Sequence, residues 1–289
     1  MAKIETITER ENNRMRCVTT EPLWVRVALI TVSIAFLTIF LLLPLLTIFT
    51  MAFSDGIVEF WKVLTHPHTL HAIGITLLTI VVVVPVNILF GVAMAWCLGK
   101  FEFRGKGILL TLLDVPFAIS PVIAGLLFVF ILGRQSMLGG WLMANDIRIL
   151  YAFPGIVIAT LFVTLPFVAR ELLPIMEAQG TEEELAARVL GARGFQIFWR
   201  VTLPNIKWGL LYGAILCNAR AMGEFGAVFV MSNSTPGLNS TLTLYINTLY
   251  HNPIPACAPY VLASLLALLA LVTLVVKAIF EKTTSTLSK

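Results

Sequence analysis

An all-α membrane protein with six transmembrane helices is the fold class this sequence predicts, and three observations predict it. Hydrophobic residues fill 58% of the 289 positions and charged residues only 12%, about half the charged share of a soluble domain. The mean hydropathy is +0.91. Apolar runs long enough to cross about 30 Å of hydrocarbon, which takes about 20 residues, recur near 26–53, 70–98, 108–133, 153–173, 208–231 and 257–280. A soluble enzyme is excluded on these grounds.

The first run, from Val27 to Phe53, is too long for the core of a cleaved secretory signal and no small-residue cleavage site follows it, so it reads as a retained span. Residues 1–25 precede it as a solvated or interfacial tail, and 281–289 form a second tail after the membrane domain 26–280. Pro44, Pro85, Pro116, Pro121 and Pro166 fall inside the runs. Bundled membrane helices tolerate such prolines because neighbours re-satisfy the freed carbonyls, so kinked helices are expected. Segment 232–256, rich in Ser, Thr, Asn, Gly and Pro, reads as a loop with a short interfacial or re-entrant helix around Leu242–Tyr250.

Orientation follows from Lys and Arg in the connections, because basic residues resist translocation. With both termini inside, sixteen of the twenty basic residues lie inside; Lys62, Arg134 and Arg148 lie outside, and Arg220 lies within a span. The net charge of +4 is then topological, which removes nucleic acid as a partner. Cys17, Cys97, Cys217 and Cys257 lie far apart with no C-x-x-C pair, so neither a disulfide framework nor a thiolate metal site is indicated. His66, His68 and His71 are offset by two and five, which does not place them on one helical face; no metal site is expected.

Segment 174–207 is the hydrophilic internal stretch that carries a pattern. Thr181 followed by Glu184 has capping-box spacing, and Glu182, Glu183 and Glu184 crowd a first turn, where the helix dipole favours acids. Ala186, Ala187 and Leu190 form a small apolar face, Gly191 stands where the helix must turn, and Phe195, Ile197, Phe198 and Val201 suggest a second amphipathic piece running to Leu203-Pro204. The physical reading is a helix–turn–helix on the internal face that offers a knob to a soluble partner.

Charges within spans are costly and mark pathways or paired structural sites. Arg220 and Glu224 are four apart and are expected to pair on one face of the fifth span, either fixing helix packing or lining a gate; Asn218 and the small residues Ala219, Gly223 and Ala227 permit close helix approach there. Asp114 sits just before Pro116 in the third span and reads as structural or gate-forming, since a carboxylate repels an anion. Ser120, beside Pro121, can donate a hydrogen bond without adding negative charge.

The stretch Ala186-Ala187-x-x-x-Gly191-Ala192 followed by Val201-Thr202-Leu203-Pro204 resembles the EAA loop through which ABC importer permeases dock on their ATPase. One departure stands out: Leu185 precedes the alanines where that family has Glu, with Glu184 one residue earlier. Pro85-Val86-Asn87, 112–121 and 218–227 resemble the sulfate/thiosulfate group, its W-type membrane subunit, over roughly Leu70 to Phe280; molybdate permeases share something of the last two stretches. The resemblance implies a type I importer permease fold with coupling through Glu182, Glu183, Glu184, Ala186, Ala187, Gly191, Ala192, Leu203 and Pro204. It implies a second homologous permease of T or U type, two copies of an ABC ATPase that bind ATP and Mg, and a periplasmic sulfate-binding protein. No cofactor is expected on this chain, which has no G-x-x-x-x-G-K-[ST] loop and no nucleophile–base constellation. A secondary transporter or channel is the rival of another class, but the two intramembrane carboxylates, Asp114 and Glu224, are a sparse set for ion coupling.

Overall fold

A computed structural model describes residues 22–232 and 239–287, with side chains as far as Ile279. Every regular element among the described residues is a helix: α1 Leu23–Ala52, α2 Ile57–Thr65, α3 Pro67–Lys100, α4 Lys106–Ala118, α5 Pro121–Leu132, α6 Met137–Ala144, α7 Phe153–Gln179, α8 Glu182–Val189, α9 Gly194–Ile197, α10 Leu203–Met222, α11 Gly226–Met231, α12 Leu242–His251 and α13 Ala258–Leu287. The chain divides into two compact units at Thr50 and Met51. In the first, α1 exposes Leu29, Ile34, Phe36, Phe40 and their apolar neighbours, as a lipid-facing helix does.

Four helices are long and apolar enough to cross a membrane, namely Leu23–Ala52, Pro67–Lys100, Phe153–Gln179 and Ala258–Ile279. The expected third span is bent by 106° between α4 and α5, so it is a broken span or a re-entrant loop rather than a kinked helix. Pro121 opens α5, and Ser120 before it has φ −57° and ψ 135°, outside the helical region that a following proline disfavours. The expected fifth span is also interrupted: α10 stops at Met222 and α11 starts at Gly226. Asn205, Lys207, Asn218 and Arg220 keep α10 out of the apolar set. Pro85 and Pro166, by contrast, lie within uninterrupted helices. The π-helical turns Thr38–Leu42 and Phe198–Thr202 each end two residues before a proline, Pro44 and Pro204; a widened turn accommodates a ring that lacks the N–H the ladder expects.

In the second unit α3 runs along α7, and α10 packs against both. Close approach depends on glycine. A Cβ on Gly91 would lie 2.6 Å from the Val168 side chain, and one on Gly213 would lie 3.1 Å from the Val168 backbone. Gly91→Ala is therefore expected to force α3 and α7 apart and cost about 1–3 kcal/mol, read as a lower midpoint of thermal inactivation in detergent; an unchanged midpoint would contradict this packing. Between these helices Asn87 Nδ2 donates to Thr164 Oγ1 at 2.6 Å and to Cys217 Sγ at 3.4 Å, joining α3, α7 and α10 where water is excluded. The second halves of the interrupted segments meet, since a Cβ on Gly125 of α5 would touch the Ala227 backbone of α11 at 2.8 Å.

At the opposite end from 180–207, α12 occupies the place expected for a short helix around Leu242–Tyr250. Leu242 N–H donates to Thr76 Oγ1 and Thr243 Oγ1 donates to the Glu224 carbonyl, each at 2.8 Å. The amphipathic helix α2 and the short α6 lie in connections where the sequence indicated no helix.

Candidate functional site

Two constellations hold the candidate functional residues: the segment after α7 and the charges set among the helices. In the first, Gly180 ends α7 with φ +63°, and α8 starts at Glu182. The expected capping box does not form, because the Thr181 side chain makes no cap bond. Glu184 turns the other way. Its Oε1 accepts from Thr202 Oγ1 at 2.6 Å and lies 3.3 Å from Lys100 Nζ at the end of α3. Lys100, whose side chain is 5% exposed, also donates to the Gly180 carbonyl. A desolvated ammonium draws a carboxylate more strongly than one backbone N–H does. Glu183 accepts from Asn205 Nδ2, and Gln179 Nε2 donates to the Asn205 carbonyl at 3.0 Å. Glu183 and Glu184 thus tie α8 to the start of α10, where Leu203 and Pro204 lie, while Glu182 and Ala186 stay exposed.

The far end of α8 explains the Ala187, Gly191 and Ala192 spacing. Gly191 N–H donates to the Arg188 carbonyl and Ala192 N–H to the Ala187 carbonyl, both at 3.0 Å, the bonds of a Schellman stop. Gly191 takes φ +86°, a conformation that costs other L-residues. Beside this stop a cavity of about 340 Å³ is lined by Ala187, Leu190, Gly191, Ala192, Gln196 and Arg200. Val189 and Leu190 are each 87% exposed and Phe195 76%, so the segment presents a larger apolar face than the small one expected. A soluble partner surface would cover it.

In the second constellation Arg220 Nη2 lies 3.1 Å from Glu224 Oε2, the expected pair. It is not formed along one continuous helix: Glu224 stands in the break after α10, and its Oε1 accepts from Ala227 N–H at 3.1 Å, capping α11. Glu224 is 1% exposed and Arg220 35% exposed at the side chain. Asn218 is half-buried on α10. Asp114, read from the sequence as structural or gate-forming, has a partner that the sequence did not indicate: Arg170 Nε donates to Asp114 Oδ1 at 2.7 Å and Nη2 to Oδ2, a bidentate fork from α7 to α4. Arg170 was counted among the internal basic residues, and 56 positions of separation give no spacing signal. Pro116 is buried, while Ser120 is exposed at the bend before Pro121. The structure therefore brings Arg220 to Glu224 and leaves Asp114 and Ser120 apart from them. No group of three His, Cys, Asp or Glu among the described residues can hold a metal; His66 Nδ1 accepts from His68 N–H at 3.3 Å as an N-cap.

Arg220→Ala strands a buried carboxylate at a cost of about 3–5 kcal/mol, whereas Lys62, 67% exposed and paired with Glu59 at 2.8 Å, is worth at most about 1 kcal/mol. The expected result is a transport defect at least tenfold larger for Arg220→Ala than for Lys62→Ala; equal defects would argue against a role in the route.

Residues 87–286 match the family described as binding-protein-dependent transport system inner membrane component. The chain belongs to this family. It is a permease component of a binding-protein-dependent importer, and not a catalytic subunit. It is 47% identical over 260 residues to the sulfate transport system permease protein CysW of Synechocystis sp., covering 90% of this chain and 94% of the relative. It is 45% identical over 258 residues to the protein of the same name from Escherichia coli K12, covering 89% and 88%. The crystal structure of a bacterial alginate ABC transporter in complex with an alginate pentasaccharide-bound periplasmic protein superposes with a TM-score of 0.73 at 20% identity, over 92% of this permease and 96% of that chain. That likeness speaks for the fold of the permease.

Proposed function

We propose that the permease is the W-type membrane subunit of an ATP-driven importer for sulfate and thiosulfate in the inner membrane. The observation that carries this reading is the 45–47% identity, along about nine-tenths of the chain, to two relatives named as sulfate permeases. Six crossings complete the reading: α1, α3, the bent pair α4 and α5, α7, the interrupted pair α10 and α11, and α13, with both termini in the cytoplasm. Segment 174–207 then faces the cytoplasm as the EAA-type loop, and two ATPase copies holding ATP and Mg dock beneath this subunit and a homologous T- or U-type permease. A periplasmic sulfate-binding protein delivers the anion on the face of α12. Closure of the ATPases favours one arrangement of the helices over the other, a population shift driven by differential binding.

The reading is tested by reconstituting the subunits in liposomes with the binding protein and measuring ATP-dependent uptake of labelled sulfate against unlabelled competitors. Sulfate and thiosulfate are expected to compete, and molybdate at equal concentration is not. Uptake of molybdate alone would keep the machine and change its cargo.

A further inference from the structure

The two intramembrane ion pairs lie at different depths. Asp114 is eight residues into α4 and Arg170 nine residues before the end of α7, about 12–14 Å from the end that carries the coupling segment at 1.5 Å per residue. Arg220 is seventeen residues into α10, about 25 Å from that same end. In the deeper pair the carboxylate is buried, Glu224 at 1% beside an Arg220 side chain that is 35% exposed, whereas both partners of the other pair are open, Arg170 at 44% and Asp114 at 39%. A charge pair with nearly half its surface open cannot rest against hydrocarbon without large cost, so it faces water or protein. The chain neighbours Leu113 and Ala169 lie in a buried apolar cluster with Leu173, and Phe117 and Phe167, three residues away on each helix, meet ring to ring at 5.2 Å. The Cβ of Glu171, next in the chain, lies beside Gly213 of α10.

We infer that Arg170 is an oxyanion contact on the ATPase side of the route, and that Asp114 is the carboxylate an arriving oxyanion displaces from it; this rests on the importer reading above. The guanidinium fork that holds Asp114 by two parallel bonds fits two oxygens of a tetrahedral oxyanion equally well. Arg220, paired with Glu224, lies nearer the opposite face, so the two guanidinia stand at different depths. Asp114 then has a defined task. Displaced but adjacent, it repels the bound dianion and shortens its stay, which a conducting site requires, since binding must be weak enough to permit exit.

The test uses the complete reconstituted importer and varies sulfate on the ATPase side. Asp114→Asn removes the competitor with little change of shape and is expected to lower the half-inhibiting sulfate concentration about tenfold. Arg170→Gln is expected to raise it at least threefold, with Arg170→Lys between Arg170→Gln and wild type because it keeps charge without the fork. Stimulation of the ATPase by the binding protein reports that each variant is assembled. Opposite shifts support the contact; an unchanged half-inhibiting concentration in assembled Asp114→Asn overturns it, because a packing pair would lower uptake in both variants without moving that value. Wild-type vesicles that import molybdate instead of sulfate would sink the cargo assignment alone, and the same opposite shifts, read with molybdate, would still decide Arg170.

Discussion

Gly191→Val is expected to reduce ATP-driven uptake at least tenfold while the protein still inserts at the wild-type level. The argument is conformational. Nothing lies within 4 Å of where a Cβ on Gly191 would be, so the substitution meets no clash; it meets φ +86°, which costs an ordinary L-residue about 1–2 kcal/mol and a β-branched one more. α8 would escape the strain by losing the Schellman stop, and Ala192 would leave the Ala187 carbonyl it now satisfies. Gly191→Asn is the control, because Asn tolerates this region several-fold better, and it is expected to keep most of the uptake. Immunoblots of membranes together with initial uptake rates separate insertion from transport. Normal transport by Gly191→Val would mean that the turn at 191 is not part of the docking surface.

The second large effect is expected at Lys100. Lys100→Met removes the buried ammonium that holds Glu184 and the Gly180 carbonyl, leaving Glu184 with Thr202 alone. The cost is about 1–3 kcal/mol, because the stranded carboxylate is only partly reached by water. The functional signature is uncoupling: α8 is freed from α3 while the ATPases still dock, so sulfate moved per ATP hydrolysed falls at least fivefold and hydrolysis persists. Adding Glu184→Gln to Lys100→Met is expected to add much less than Glu184→Gln does in the wild-type background, the non-additivity of residues in one network. Additive effects would show that Lys100 and Glu184 act separately.

The sequence was legible where one physical signal dominated. Long apolar runs located α1, α3, α7 and α13, because crossing hydrocarbon leaves few alternatives. Gly191 was placed at the turn correctly, since an acid-rich first turn and a glycine seven to nine residues later delimit a short helix. The breaks between α4 and α5 and between α10 and α11 were not legible as breaks. Pro85 and Pro166 sit in unbroken helices, so a proline alone does not say whether a helix kinks or stops; packing of Gly125 on Ala227 and of Gly226 against Pro121 and Val122 favours the bent arrangement. The capping box at Thr181 failed because its Glu was drawn to Lys100, 84 positions earlier, and Asp114 found Arg170 56 positions later. Both are contacts across helices, which local spacing does not register. The short helices α2 and α6 fell below the length at which an apolar pattern separates from a loop.

The most direct test of the account is ATP-dependent uptake by the reconstituted importer with the ATPase omitted from one preparation. The account predicts sulfate accumulation only when this permease, its second permease and the ATPase are all present. Equal accumulation without the ATPase would contradict it, and would make segment 174–207 an ordinary connector.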